Sequence, residues 1–208
     1  MPNAPSTDET LSGTIENSRA WMRFLAGKPG IILACLWGLA EGTLFFVVPD
    51  VFLSLVAILQ PRRAWRHVIA ATAGALLAGI LLFGWALRDV VAARNAVGRV
   101  PFVTAAMFTR VDESYRLHGV GAVFLGPLTG TPYKLYAVEA PAYVNEWAFL
   151  AATVPARAER FVVVCLLFAV PAAWIRNKWK LSNERLLMIH AAVWIAFYAF
   201  YWSTIGKH

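Results

Sequence analysis

Six ionisable side chains stand within or at the edge of apolar sequence, and their types and spacing suggest a charge site embedded in a membrane. Glu41 and Asp50 lie in the run Pro29 to Leu59 (PGIILACLWGLAEGTLFFVVPDVFLSLVAIL), and Lys134 and Glu139 lie in the stretch His118 to Pro141 (HGVGAVFLGPLTGTPYKLYAVEAP). Arg157 and Arg160 belong to PARAER, Pro155 to Arg160, inside the apolar segment Trp147 to Ile175. A charged side chain at bilayer depth costs about 2.5 to 3.5 kcal/mol on insertion scales, so such groups face a cavity or a partner rather than lipid. A carboxylate in that setting is pulled two ways, by desolvation and by nearby cations, so a substrate that arrives and leaves can switch its proton. Glu41 and Asp50 are the candidates for that coupling. Arginine offers a planar fork for phosphate and lysine a compact charge, so Lys134, Arg157 and Arg160, with Glu139 at the exit of the second stretch, are candidates for binding an anionic substrate. The same charges also admit a structural reading. They pair with one another to hold segments together, or Arg157 and Arg160 snorkel to headgroup level at a short break in PARAER.

The elements that must position these groups follow from the apolar pattern. A span needs about 20 apolar residues; Pro29 to Leu59 is longer and is interrupted by Pro49 beside Asp50. The expected form is a re-entrant hairpin: a first helix to Phe46, a turn around Val48, Pro49 and Asp50, and a shorter returning helix, with its broken backbone covered by protein or water. Lys28 at one mouth and Arg62, Arg63 and Arg66 at the other are consistent with both ends on one face. In the second stretch Gly126, Pro127, Gly130 and Pro132 supply the turns of another hairpin. Gly38 precedes Pro49 by the interval at which Gly121 precedes Pro132. Paired, proline-broken apolar segments point to a transporter-like site at a repeat interface. Val68 to Leu87 reads as a span whose small residues Gly74, Ala78 and Gly79, with Gly84 further along, let another helix approach closely. Arg88 to Arg99 is mixed, and Pro101 to Leu117 reads as a surface helix with Val103, Met107, Val111 and Tyr115 on one side. Leu186 to Thr204 is a last span, closed by a belt of Tyr198, Tyr201 and Trp202.

Composition bounds the rest. Of 208 residues, 59% are hydrophobic and 15% charged, which places the chain outside ordinary soluble domains. The net charge of +7 belongs to loops and headgroup level, so nucleic acid is not an expected partner. Cys35 and Cys165 sit in apolar runs without metal spacing and read as small buried hydrophobes. His67, His118 and His190 are scattered and read as packing or interfacial residues. No GxSxG elbow or Walker loop is present, so neither an enzyme, a metal nor an organic cofactor is expected. Residues 1–13 read as a disordered lead without a cleavable signal. Residues 14–28 read as an amphipathic interfacial helix, with Ile15, Trp21, Met22 and Leu25 opposite Glu16, Arg19 and Arg23. Residues 29–180 form the membrane domain, with hairpins near 29–60 and 118–141, and residues 181–208 a C-terminal transmembrane helix. The expected fold is an all-α, polytopic integral membrane protein with two opposed re-entrant hairpins, flanking transmembrane helices and amphipathic interfacial helices.

The block EGTLFFVVPD from Glu41 to Asp50, the later FLGPLTGTPYKLYAVEAP, and the arginines Arg157 and Arg160 that follow resemble the DedA family. This family is also known by its VTT or SNARE-associated Golgi protein domain, and the YqaA-like members are the most similar. The resemblance covers roughly residues 37–176. It implies two opposed re-entrant hairpins, and for bacterial members movement of an anionic lipid such as undecaprenyl phosphate across the inner membrane coupled to an ion gradient, for which Glu41 and Asp50 make protons the expected ion; eukaryotic relatives scramble phospholipids. Carried over, Glu41 and Asp50 match the membrane acids, and Lys134 takes the place where many members have arginine after a proline. The chain departs from the pattern in lacking a glycine after the acidic turn and in reading TPYKLYAVEA where many members show arginine and then Ala-Gly. The partners implied are a phosphorylated polyprenyl lipid or phospholipid and protons, with a homo-oligomer left open. The alternative is a non-transporting structural membrane protein in envelope homeostasis.

Overall fold

The computed structural model describes residues 21, 24–25 and 27–205. The lead expected over 1–13 lies outside the described residues, as do Ile15, Glu16, Arg19, Met22 and Arg23 of the expected interfacial helix. Among the described residues there are nine α-helices and no strand: α1 (Lys28–Thr43), α2 (Asp50–Leu59), α3 (Ala64–Arg88), α4 (Val90–Gly98), α5 (Ala105–His118), α6 (Gly126–Thr129), α7 (Tyr133–Glu139), α8 (Glu146–Trp179) and α9 (Asn183–Ile205). Short 3-10 turns cover Gly119–Phe124 and Ala140–Ala142. Three helices, α3, α8 and α9, are long and apolar enough to cross a membrane.

Pro29 falls in the first turn of α1, where its missing amide is no loss. The helix ends at Thr43, three residues before the expected Phe46, and the Thr43 hydroxyl bonds the Leu39 and Ala40 carbonyls at 3.0 Å. Residues 44–49 are not helical; Trp37 Nε1 donates to the Val47 carbonyl at 2.9 Å and steadies the break. Pro49 then precedes α2, which opens on Asp50, a carboxylate placed where the helix dipole favours it. The second broken stretch is built differently. Gly130 takes a left-handed conformation (φ +68°) between the four-residue α6 and the seven-residue α7, with Pro132 just before α7. The two broken segments are thus unequal, the first having arms of 16 and 10 residues.

α1 lies directly on α3, as the small residues led one to expect. A β-carbon at Gly38 would come 2.2 Å from the Ala71 carbonyl oxygen, and one at Gly74 would come 2.0 Å from that of Cys35. The backbones touch there, and only glycine fits. In α5, Met107, Val111 and Tyr115 are buried as expected, although the helix starts at Ala105 and leaves Val103 before it. The mixed segment after Arg88 is helical: the Asp89 carboxylate accepts from the Ala92 amide at 2.8 Å and starts α4.

PARAER is not a break. α8 runs unbroken for 34 residues through both Pro155 and Pro171. A proline removes one backbone hydrogen bond and need not end a helix whose neighbours and remaining bonds support it. Arg157 and Arg160 therefore project from the interior of a long helix. Two packed clusters surround the shared helices α3 and α8: one around Phe83, Val97, Tyr115, Tyr136 and Phe149, the other around Phe52, Leu53, Phe161 and Cys165.

Candidate functional site

Glu41 on α1 meets Arg157 on α8 in an ion pair, and both are nearly sealed, at 3% and 2% exposure. The Arg157 guanidinium also lies over the rings of Tyr133 and Phe161, 5.0 and 4.9 Å from their centroids. Tyr133 is itself fixed by a 3.1 Å hydrogen bond between its hydroxyl and that of Thr153. One helical turn on, Arg160 donates to Asp50 Oδ2 at 2.5 Å. The other oxygen, Asp50 Oδ1, is buried and without a hydrogen-bond partner among the described residues. The acids of the first broken segment are therefore matched by the arginines of α8, not by the base of the second segment.

That base, Lys134, is 2% exposed. Its Nζ donates to the Phe45 carbonyl at 2.7 Å, and among the described residues it makes no ion pair. Phe45 lies in the break after α1, where carbonyls have no helical partner, so this bond brings the two broken segments into contact. The amide of Val48 in the same break donates to the Tyr198 hydroxyl at 3.1 Å.

A cavity of about 390 Å³ lies against these groups. Glu41, Asp50, Lys134 and Arg160 line it, with Val48 of the first break and Gly126, Pro127, Gly130, Thr131 and Pro132 of the second. Its apolar walls come from Val164 and Leu167 of α8, from Phe102, and from an aromatic side of α9 that includes Trp194 and Trp202. The volume is in the range of small-molecule sites. Among the sequence candidates, Arg157, Glu139 and Pro49 are not lining residues, Pro49 being the residue just before α2.

Glu139 belongs to a second cluster. Its two oxygens accept from Arg94 Nε and Nη2 at 2.5 and 2.8 Å, Arg94 reaches Asp112 at 3.5 Å, and the Tyr143 hydroxyl donates to Asp112 at 3.1 Å. The bond to Glu139 raises the Arg94 pKa above its ordinary value. This cluster ties α4 and α5 to α7. Sequence reasoning passed over Arg94 because the segment around it has no apolar periodicity that would mark one side as buried. Tyr198, Tyr201 and Trp202, which read as a belt in the sequence, line the cavity, and nothing in their spacing distinguishes a belt from a cavity wall.

His67, His190 and the two cysteines fall into packing positions, and His118 does not. His67 is fully buried, with Nε2 2.7 Å from the Leu25 carbonyl, and His118 is exposed at the end of α5. His190 Nε2 lies 2.8 Å from Ser54 Oγ, which also accepts from Trp194 Nε1 at 3.1 Å and donates to the Asp50 carbonyl at 2.6 Å. A serine beside a histidine has the components of a nucleophile and base, yet Ser54 is wholly buried, its hydroxyl is committed to helix backbone, and it does not line the cavity. It pins α9 to α2. Cys165 is buried and Cys35 partly so, both as free thiols.

No family model matches the chain, and neither a curated protein nor a solved structure matches it. The chemistry therefore rests on the geometry: two carboxylates each held by an arginine, one buried ammonium bonded to a carbonyl, and an apolar cavity onto which Glu41, Asp50 and Arg160 open together with Lys134.

Proposed function

We propose that the protein is a membrane transporter of the DedA type, set in the bacterial cytoplasmic (inner) membrane, and that it moves an anionic lipid such as undecaprenyl phosphate with proton coupling. The observation that supports this reading best is the cavity in which Lys134 and Arg160 stand beside Glu41 and Asp50 under apolar and aromatic walls. A phosphate headgroup finds there an ammonium without a carboxylate partner and a guanidinium shared with Asp50; the lipid chain finds the walls. Headgroup and carboxylate compete for Arg160, so protonating Asp50 frees the arginine for the headgroup, and losing the proton returns it. Arg157, enclosed by two rings and bonded to Glu41, positions the acid and does not take the headgroup. In this reading both broken segments are re-entrant, meeting where Lys134 bonds the Phe45 carbonyl.

The rival reading is a structural membrane protein whose buried charges serve assembly, and the sealed Glu41–Arg157 pair, which does not need a substrate, favours it. Proteoliposomes with a labelled polyprenyl phosphate, with and without an imposed proton gradient, separate the two. The transporter reading expects gradient-stimulated lipid movement that is lost in folded Glu41→Gln and Lys134→Ala proteins. No movement in any condition by well-folded wild-type protein would sink it for that substrate and leave the structural reading.

A further inference from the structure

The last helix is fastened unevenly. In its first half Leu186 and His190 are buried; Leu186 packs with Ile58 and Ala172, and His190 and Trp194 both reach Ser54. Beyond Trp194 the residues up to Thr204 are half-buried or exposed. That far half is nevertheless a wall of the cavity, through Phe197, Tyr198, Tyr201 and Trp202. It is held there by ring contacts and by the Tyr198 hydroxyl on the Val48 amide. Facing it is Phe102, whose φ of +69° lies in a region that bulky residues rarely enter. The Phe102 ring is stacked on Trp202, centroids 5.5 Å apart and planes 9° apart, and meets Tyr201 and Phe46 edge-on. Strain of this kind persists where surrounding contacts hold it, and these three ring contacts come from α9 or from the break it covers.

We propose that the far half of α9 is a side gate of the cavity, pivoting at Trp194 where the fastened stretch Leu186 to Trp194 ends, and latched by the Tyr198 hydroxyl on Val48 and by the Phe102–Trp202 stack. Opening breaks one hydrogen bond, lets Phe102 relax, and uncovers the cavity from the side, the direction by which a lipid chain enters without its apolar part crossing water. Because Val48 is two residues from Asp50, opening also releases the backbone beside a coupling carboxylate. What passes the gate rests on the lipid reading above; the gate itself rests on these contacts.

Thr131 lines the cavity and is 5% exposed, so a cysteine there reports how often the cavity opens. In proteoliposomes of the full chain carrying Thr131→Cys, Cys35→Ala and Cys165→Ala, the labelling rate with N-ethylmaleimide is compared with and without Tyr198→Phe or Trp202→Ala. The expected result is labelling faster by about three- to tenfold in Tyr198→Phe, the population shift that one hydrogen bond controls, with the thermal midpoint in detergent unchanged. In a second protein, Phe102→Cys with Trp202→Cys, also without the native cysteines, a cleavable bismaleimide bridge is expected to stop lipid movement and its cleavage to restore it. Unchanged labelling in both latch variants, or full lipid movement through the bridged protein, overturns the gate. Faster labelling in a protein that moves no lipid keeps the gate and overturns the substrate reading instead.

Discussion

Arg157 and Arg160 stand one turn apart on α8, and their surroundings give them different work. Arg157 is sealed between two aromatic rings and against Glu41, whereas the Arg160 side chain keeps 22% exposure and lines the cavity. Removing one member of a sealed pair strands the other charge, and such losses run to about 3 to 5 kcal/mol. Arg157→Leu is expected to lower stability by that order in detergent unfolding, and adding Glu41→Gln to recover much of it. If the double variant is as unstable as the single one, the cost lies in packing against Tyr133 and Phe161 and not in the stranded carboxylate. At this scale the sequence announced the charges and their signs. It could not pair them, because Glu41 and Arg157 are 116 positions apart and Asp50 and Arg160 are 110 apart. It assigned Glu139 to the substrate, and the fold gives it to Arg94.

Helices α1 and α3 depend on the absence of side chains where they cross. The same substitution at two glycines of α3 therefore has opposite consequences. Gly74→Ala drives a methyl group into the Cys35 carbonyl and is expected to destabilise by about 1 to 3 kcal/mol, the usual cost of overpacking. At Gly84 a β-carbon meets nothing within 4 Å, and Gly84→Ala is expected to be neutral or to stabilise by up to about 1 kcal/mol through helix propensity. Detergent unfolding of the two variants checks this, and equal effects would mean that the crossing is looser than the contacts indicate. The small-residue spacing was legible because close helix approach has a local composition. The continuity of α8 was not, because PARAER carries a proline and charges that in isolation read as a break, and only pairing with Glu41 and Asp50 makes it a favourable interior turn.

For the whole molecule, the proposed re-entry of residues 29–60 makes a prediction about sidedness. Lys28 and Arg62 are both exposed, at the start of α1 and just after α2. Cysteines at these two positions, in a chain without Cys35 and Cys165, are expected to react with a membrane-impermeant thiol reagent from the same face of sealed vesicles. Reaction from opposite faces would make the segment a crossing and would remove the re-entrant part of the proposal. Taken by itself, the sequence determined that the chain is helical and apolar, that Val68 to Leu87 and Leu186 to Thr204 are long enough to span, where the first apolar run breaks, and which charges are too costly to leave in lipid, because these depend on hydropathy and residue type along a short window. The tertiary structure alone decided which acid meets which arginine, that Lys134 reaches a carbonyl in the other broken segment, and that the aromatic residues of the last helix wall a cavity. Those outcomes depend on how helices far apart in the chain pack, and no local pattern of residues encodes that.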